Sequence, residues 1–174
     1  MTIGHRLVVS FLLVAAATPA YGQETLPPAR DNAVYVELLG SGGLYSVNYE
    51  RALPPAFRVR AGAAAWTAES FWSDAKTRFR TFPIMLLIVP GGGAHHLEAG
   101  IGAHLGQRSR ERDVGESGGF VSLIAVVGYR YEPRQRRLFV RAGFTPFYGF
   151  GDSSDAYPEE GFFPSLGLSL GARF

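Results

Sequence analysis

The sequence predicts an all-β fold, an eight-stranded antiparallel transmembrane β-barrel, and three observations carry it. Eight segments alternate apolar with small or polar residues, the connections between them are alternately short and long, and an export leader precedes them. Two-residue alternation marks a strand with unlike faces. Short turns at one end with long loops at the other is the layout of an outer-membrane barrel.

The leader comes first. Residues 1–6 carry Arg6 and no acid, and residues 7–17 read LVVSFLLVAAA. That apolar run is too short for a spanning helix, which needs about 20 residues. Ala20-Tyr21-Gly22 places small residues where a signal peptidase reads, so residues 1–22 are expected to be a signal peptide. Residues 23–31 (QETLPPARD) are expected to be a periplasmic lead-in, and residues 32–174 the barrel.

Composition agrees. Lys plus Arg number 17 against 15 Asp plus Glu, so the charges nearly cancel, and no basic stripe with interleaved aromatics points to nucleic acid. Cysteine is absent, so an exported domain must be stable without disulfides. Twenty-two Gly and 13% aromatics with only 18% charge favour β structure. No later apolar run reaches 18 residues, so a membrane crossing would require a closed barrel.

The eight segments are 32–39, 44–51, 57–66, 81–89, 96–106, 120–131, 138–147 and 163–174. The first and second carry Glu37, Ser46 and Glu50 in lumen phase. In the third, Phe57, Val59, Ala61, Ala63 and Ala65 oppose Arg58, Arg60, Gly62, Ala64 and Trp66. The fourth, FPIMLLIVP, is apolar on both faces and leaves its phase open. In the fifth, Leu97, Ala99, Ile101, Ala103 and Leu105 oppose Glu98, Gly100, Gly102 and His104. The sixth sets Tyr129 and Tyr131 against Ser122, Gly128 and Arg130. The seventh sets Leu138, Val140, Ala142 and Phe144 against Phe139, Arg141, Gly143 and Thr145. In the eighth, Ser165, Gly167, Ser169, Gly171 and Arg173 share the small and polar face. Between segments, ALPPA, VPGGGAH and EPRQRR are compact, whereas TAESFWSDAKTRFR, GQRSRERDVGESGG and GFGDSSDAYPEEGF are long and polar. The first hairpin, through Ser41-Gly42-Gly43, is tight although it lies on the long-loop side.

The same alternation would suit a soluble barrel with its apolar face inward. The other face decides between them. A solvated exterior favours Lys, Glu, Thr and Gln, but this face is rich in Gly and Ser, which suit the cramped interior of eight strands. Aromatics near strand ends on the apolar face, such as Phe57, Tyr129, Tyr131 and Phe174, fit interfacial girdles. The final strand must close against the first, because an open edge cannot stand in hydrocarbon. The terminal Phe174 is therefore expected to act as the assembly signal read by the outer-membrane assembly machinery.

The succession NAVYVELLGSGGLYSVNYERAL, FPIMLLIVPGGGAHHLEAGIGAHL, GYRYEP, LFVRAGFTPF and FFPSLGLSLGARF resembles a family of small bacterial outer-membrane β-barrel proteins. That family is common in Bacteroidetes-like genomes and mostly of unassigned activity. The resemblance implies fold and location and supplies no catalytic residues.

With the N-terminus in the periplasm, Glu50, Arg58, Arg60, Glu98, Arg130, Arg141 and Arg173 face the periplasmic half of the lumen, with Glu37 nearer mid-height. Five Arg and three Glu can form an ion-paired plug, because guanidinium forks hold carboxylates in pairs. The functional alternative is an anion-selective constriction. No metal or cofactor is expected: His95 and His96 point to opposite faces, and His96 with Glu98 lacks a third ligand. Nor is an enzyme expected. Lipid A deacylases carry His-x-Ser on a lipid-facing strand, absent here, and His104 with Ser122 is only an isolated nucleophile–base candidate. Asp152, Asp155, Glu159 and Glu160 lack calcium-loop spacing and read as an acidic tip. Phe71 and Trp72 could touch lipopolysaccharide or a partner, or form part of a girdle. The expected whole is a monomer in the outer membrane, among lipid and lipopolysaccharide, with a structural or surface-binding role. A narrow pore or small-solute conduit is the second reading and a lipid A-modifying enzyme the third.

Overall fold

The computed structural model describes residues 30–69, 76–110, 117–150 and 161–174. The expected signal peptide, residues 23–29 of the lead-in, Phe71, Trp72, Asp152, Asp155, Glu159 and Glu160 lie outside the described residues.

The strands are β1 (Asn32–Leu38), β2 (Tyr45–Leu53), β3 (Phe57–Glu69), β4 (Lys76–Ile88), β5 (His95–Arg110), β6 (Ser117–Tyr131), β7 (Leu138–Phe144), β8 (Phe147–Gly149), β9 (Gly161–Phe163) and β10 (Leu166–Arg173). They make eight staves, because β8 continues β7 and β10 continues β9. Each stave pairs antiparallel with its sequence neighbours. The ring closes where β10 meets β1, from Ala33↔Arg173 to Leu38↔Leu168. Asn32 and Phe174 extend that seam by exchanging backbone hydrogen bonds of 3.2 and 2.9 Å. The protein is a closed eight-stranded antiparallel barrel.

Burial follows the alternation. On β1, Ala33, Tyr35 and Glu37 are buried while Val34, Val36 and Leu38 are exposed. The outer wall is apolar on every stave: Leu97 is 70% exposed, Val127 66% and Leu168 60%. An apolar surface of that extent is far larger than a soluble monomer shows. The fourth segment resolves with Thr81, Met85, Leu87 and Val89 inward and Phe82, Ile84, Leu86 and Ile88 outward. Its inner face joins Ile124, Val126 and Phe147 in an apolar cluster, so one side of the lumen is hydrocarbon and not small or polar.

The strands differ from the sequence expectation in two ways. The seventh and eighth segments are each interrupted, at Thr145-Pro146 and at Pro164-Ser165, because proline supplies no N–H to the ladder. Thr145 N–H still donates to Ser165 O at 2.7 Å across the paired breaks. The third to sixth staves also run beyond their expected ends, pairing as far as Glu69↔Lys76, Thr77↔Arg110 and Ser109↔Ser117. One side of the rim therefore stands taller than the side of β1 and β2.

Candidate functional site

Every stave except the fourth sends charge into the lumen or its turn-side mouth, since strand phase points alternate residues inward. The structure brings all eight charges expected from sequence into one cluster. Arg130 on β6 donates a two-pronged pair to Glu50 on β2, at 2.6 and 2.7 Å. It also donates to Glu98 at 3.3 Å and to Glu132 at 3.0 Å. Arg58 joins Glu50 at 3.2 Å and Glu132 at 3.0 Å. Arg141 on β7 pairs with Glu37 on β1, stands 2.9 Å from Glu98, and donates to the Tyr35 hydroxyl at 3.0 Å. Arg60 sits among Glu37, Glu50 and Glu98 at 3.7–3.9 Å. Arg173 closes the turn-side end on Glu132 at 2.8 Å and on the carbonyls of Pro133 and Arg136.

Sequence reasoning missed three members. Glu132 lies one residue past β6 and reads as part of a charged turn, yet it joins three arginines. Tyr35 shares the phase of Glu37, a signal that was available, and its ring lies 5.5 and 5.3 Å from the guanidiniums of Arg60 and Arg141. Ser41 is the third. The tight 39–44 turn folds into the mouth, where Ser41 N–H (2.9 Å) and Oγ–H both donate to Glu37. Across the lumen, Thr81 Oγ1 donates to Gly42 O at 2.9 Å. The turn is thus tied to the charge cluster below it and to the opposite wall.

Glycines make the space. Gly128, Gly143 and Gly167 stand side by side on neighbouring staves. A Cβ on Gly167 would lie 3.0 Å from Glu37 Oε1, and one on Gly128 would lie 2.8 Å from the Ala142 carbonyl. Side chains there would fill the bay that Glu37 and Glu98 occupy.

Burial alone would raise the Glu132 carboxyl, but Arg58, Arg130 and Arg173 outweigh it and hold the group below the ordinary carboxylate range. A depressed folded-state pKa gives stability that is present above the unfolded value and lost as pH falls through the folded one. Chemical unfolding of the micelle-refolded barrel is expected to become easier below about pH 4. Glu132→Gln should flatten that dependence.

The other candidates stay apart. His96 Nδ1 faces the Pro90 carbonyl at 3.4 Å, and no group of three metal-binding side chains occurs among the described residues. His104 and Ser122 are cross-strand partners, but His104 Nε2 and Ser122 Oγ make no hydrogen bond. His104 instead packs against Phe120 and Phe147.

Comparison with known proteins speaks to the fold. No protein-family model matches the chain, and no curated protein matches it in sequence. The N-terminal β-barrel domain of Pseudomonas aeruginosa OprF is similar in structure over 82% of this chain and 97% of its own, with a TM-score of 0.58 and 14% identity. Ail, the attachment invasion locus protein of Yersinia pestis, is similar over 82% of this chain and 93% of its own, with a TM-score of 0.44 and 15% identity. In its complex with the heparin analogue sucrose octasulfate, the TM-score is 0.48 at 16% identity, covering 82% of this chain and 96% of Ail. The likeness to the OprF domain shows a shared barrel fold.

Proposed function

We propose that the protein is an integral barrel of the bacterial outer membrane, monomeric and non-enzymatic, with a lumen closed by ion pairs and a role in membrane structure or surface binding through its long loops. The observation that carries this reading is an apolar outer wall around a cluster of Arg and Glu whose centre is buried, with Arg60, Arg130, Glu37 and Glu50 at most 1% exposed. Lipid solvates such a wall, and a lumen packed with paired charge leaves no water path. The family resemblance in the quoted segments supports the same reading. The protein is expected to fractionate with the outer membrane, to migrate faster on gels unheated than boiled, and to pass essentially no current in planar bilayers. Recovery as a soluble species would refute it.

Phe174 serves as the assembly signal in this reading. It is exposed on the lipid side and completes the seam with Asn32. Deleting it is expected to leave export intact and sharply reduce insertion; unchanged yield in the membrane fraction would count against the role.

A second reading, a conduit for small apolar solutes, draws on a hollow of about 470 Å³ at the loop-side mouth, lined by Leu39, Gly43, Leu44, Trp66, Phe147 and Phe163. The inturned Ser41 and the ion pairs beneath it argue against passage. Steady wild-type conductance would favour this reading.

A further inference from the structure

We propose that the outer wall of β4, β5 and β6 carries a binding site for the phosphate groups of an outer-leaflet glycolipid, formed by Arg78 and Arg80. The inference rests on the membrane reading above and deepens it by assigning residues and a ligand chemistry.

Cross-strand register places the site. Phe82, Leu105 and Val121 form one outward row at the loop-side edge of the apolar wall. The next outward row is Ala65–Arg80–Gln107–Gly119, and the one beyond is Thr67–Arg78–Ser109. At about 3.3 Å per residue, Arg80 stands about 7 Å and Arg78 about 13 Å along the strand from Phe82. The wall passes from hydrocarbon to guanidinium within one row.

The backbone leaves room beside the arginines. Gly119 has no side chain on the outer row, and a Cβ there would meet only the Gly106 carbonyl, at 3.8 Å. A hollow of about 340 Å³ lies against Arg78, Arg80, Gln107, Ser109 and Gly119. Two guanidinium forks match phosphate oxygens, with Gln107 and Ser109 as further polar groups at the hollow. The apolar row below is placed for acyl chains. An amphiphile with phosphate directly above its chains fits both features at once. A free anion would use only the upper one.

The test uses full-length mature protein refolded in detergent micelles and native mass spectrometry of bound lipid. The probes are lipid A bearing two phosphates and the same lipid A after dephosphorylation. Wild type is expected to retain the phosphorylated form preferentially. Each cationic side chain near an anionic membrane surface contributes about fivefold in affinity, so Arg78→Gln with Arg80→Gln should lose about 30-fold. Arg51→Gln, which removes an exposed basic side chain near the opposite end of the barrel, should retain lipid as wild type does. Equal retention of the two lipid A forms, or a double variant that binds like wild type, would overturn the site. Displacement by millimolar inorganic phosphate with no dependence on acyl chains would overturn the lipid assignment. Each protein is also run unheated and boiled. A normal mobility shift with phosphate-blind retention overturns this inference alone, whereas loss of the shift in wild type overturns the membrane reading as well.

Discussion

Glu50→Ala is expected to lower the stability of the refolded barrel by about 3–5 kcal/mol, the typical cost of stranding one partner of a buried ion pair. Glu50 is the carboxylate on which the lower cluster converges. Arg130 grips both its oxygens at 2.6 and 2.7 Å, Arg58 reaches one at 3.2 Å, and Arg60 lies 3.8 Å away. With Glu132 included, the cluster holds five Arg against four Glu, so losing one acid leaves two positive charges uncompensated in a buried interior. Chemical unfolding in phosphocholine micelles measures the loss. The combined change Glu50→Leu with Arg130→Met tests the cause. It removes the gripped pair and leaves Arg58 and Arg173 on Glu132 and Arg141 on Glu98. It should cost less than the two single changes summed, by about 1 kcal/mol or more, since contacting residues couple. Strict additivity would show that the residues do not act as a pair.

The alternation that makes this cluster was legible because one residue in two must face a cramped interior. That rule gave the phase of seven segments and gathered eight charges from seven staves. It failed where its physical premise failed. FPIMLLIVP offers no contrast because both its faces are apolar, the inner one packing on Ile124, Val126 and Phe147. Residues 67–69, 76–80, 107–110 and 117–119 continue the strands past the apolar belt, where the outer face turns polar and the apolar period disappears. Pro146 and Pro164 read as tolerable strand residues until their missing donors are counted. Glu132 and Ser41 enter the lumen through turns, whose direction alternation does not encode. The functional role was least legible, because a closed lumen needs packing, charge balance and space, and none of these selects a ligand.

In the proposed ion-paired closure the inturned 39–44 turn forms a second layer, and Glu37 joins the two. One Glu37 oxygen pairs with Arg141 and approaches Arg60 at 3.9 Å, while the other accepts both Ser41 donors. Glu37→Ala therefore removes the neutralising charge from two guanidiniums and the anchor of the turn together. The expected result is a barrel weakened by about 3–5 kcal/mol that passes small anion-selective currents, because positive charge now lines an unblocked mouth. Ser41→Ala separates the layers. It deletes one donor to Glu37 but leaves the Ser41 N–H bond and every ion pair, so it should cost about 1–2 kcal/mol and remain electrically silent. If Glu37→Ala is as stable and as silent as wild type, the ion-paired closure is wrong. If Ser41→Ala alone conducts, the turn and not the charge cluster closes the barrel.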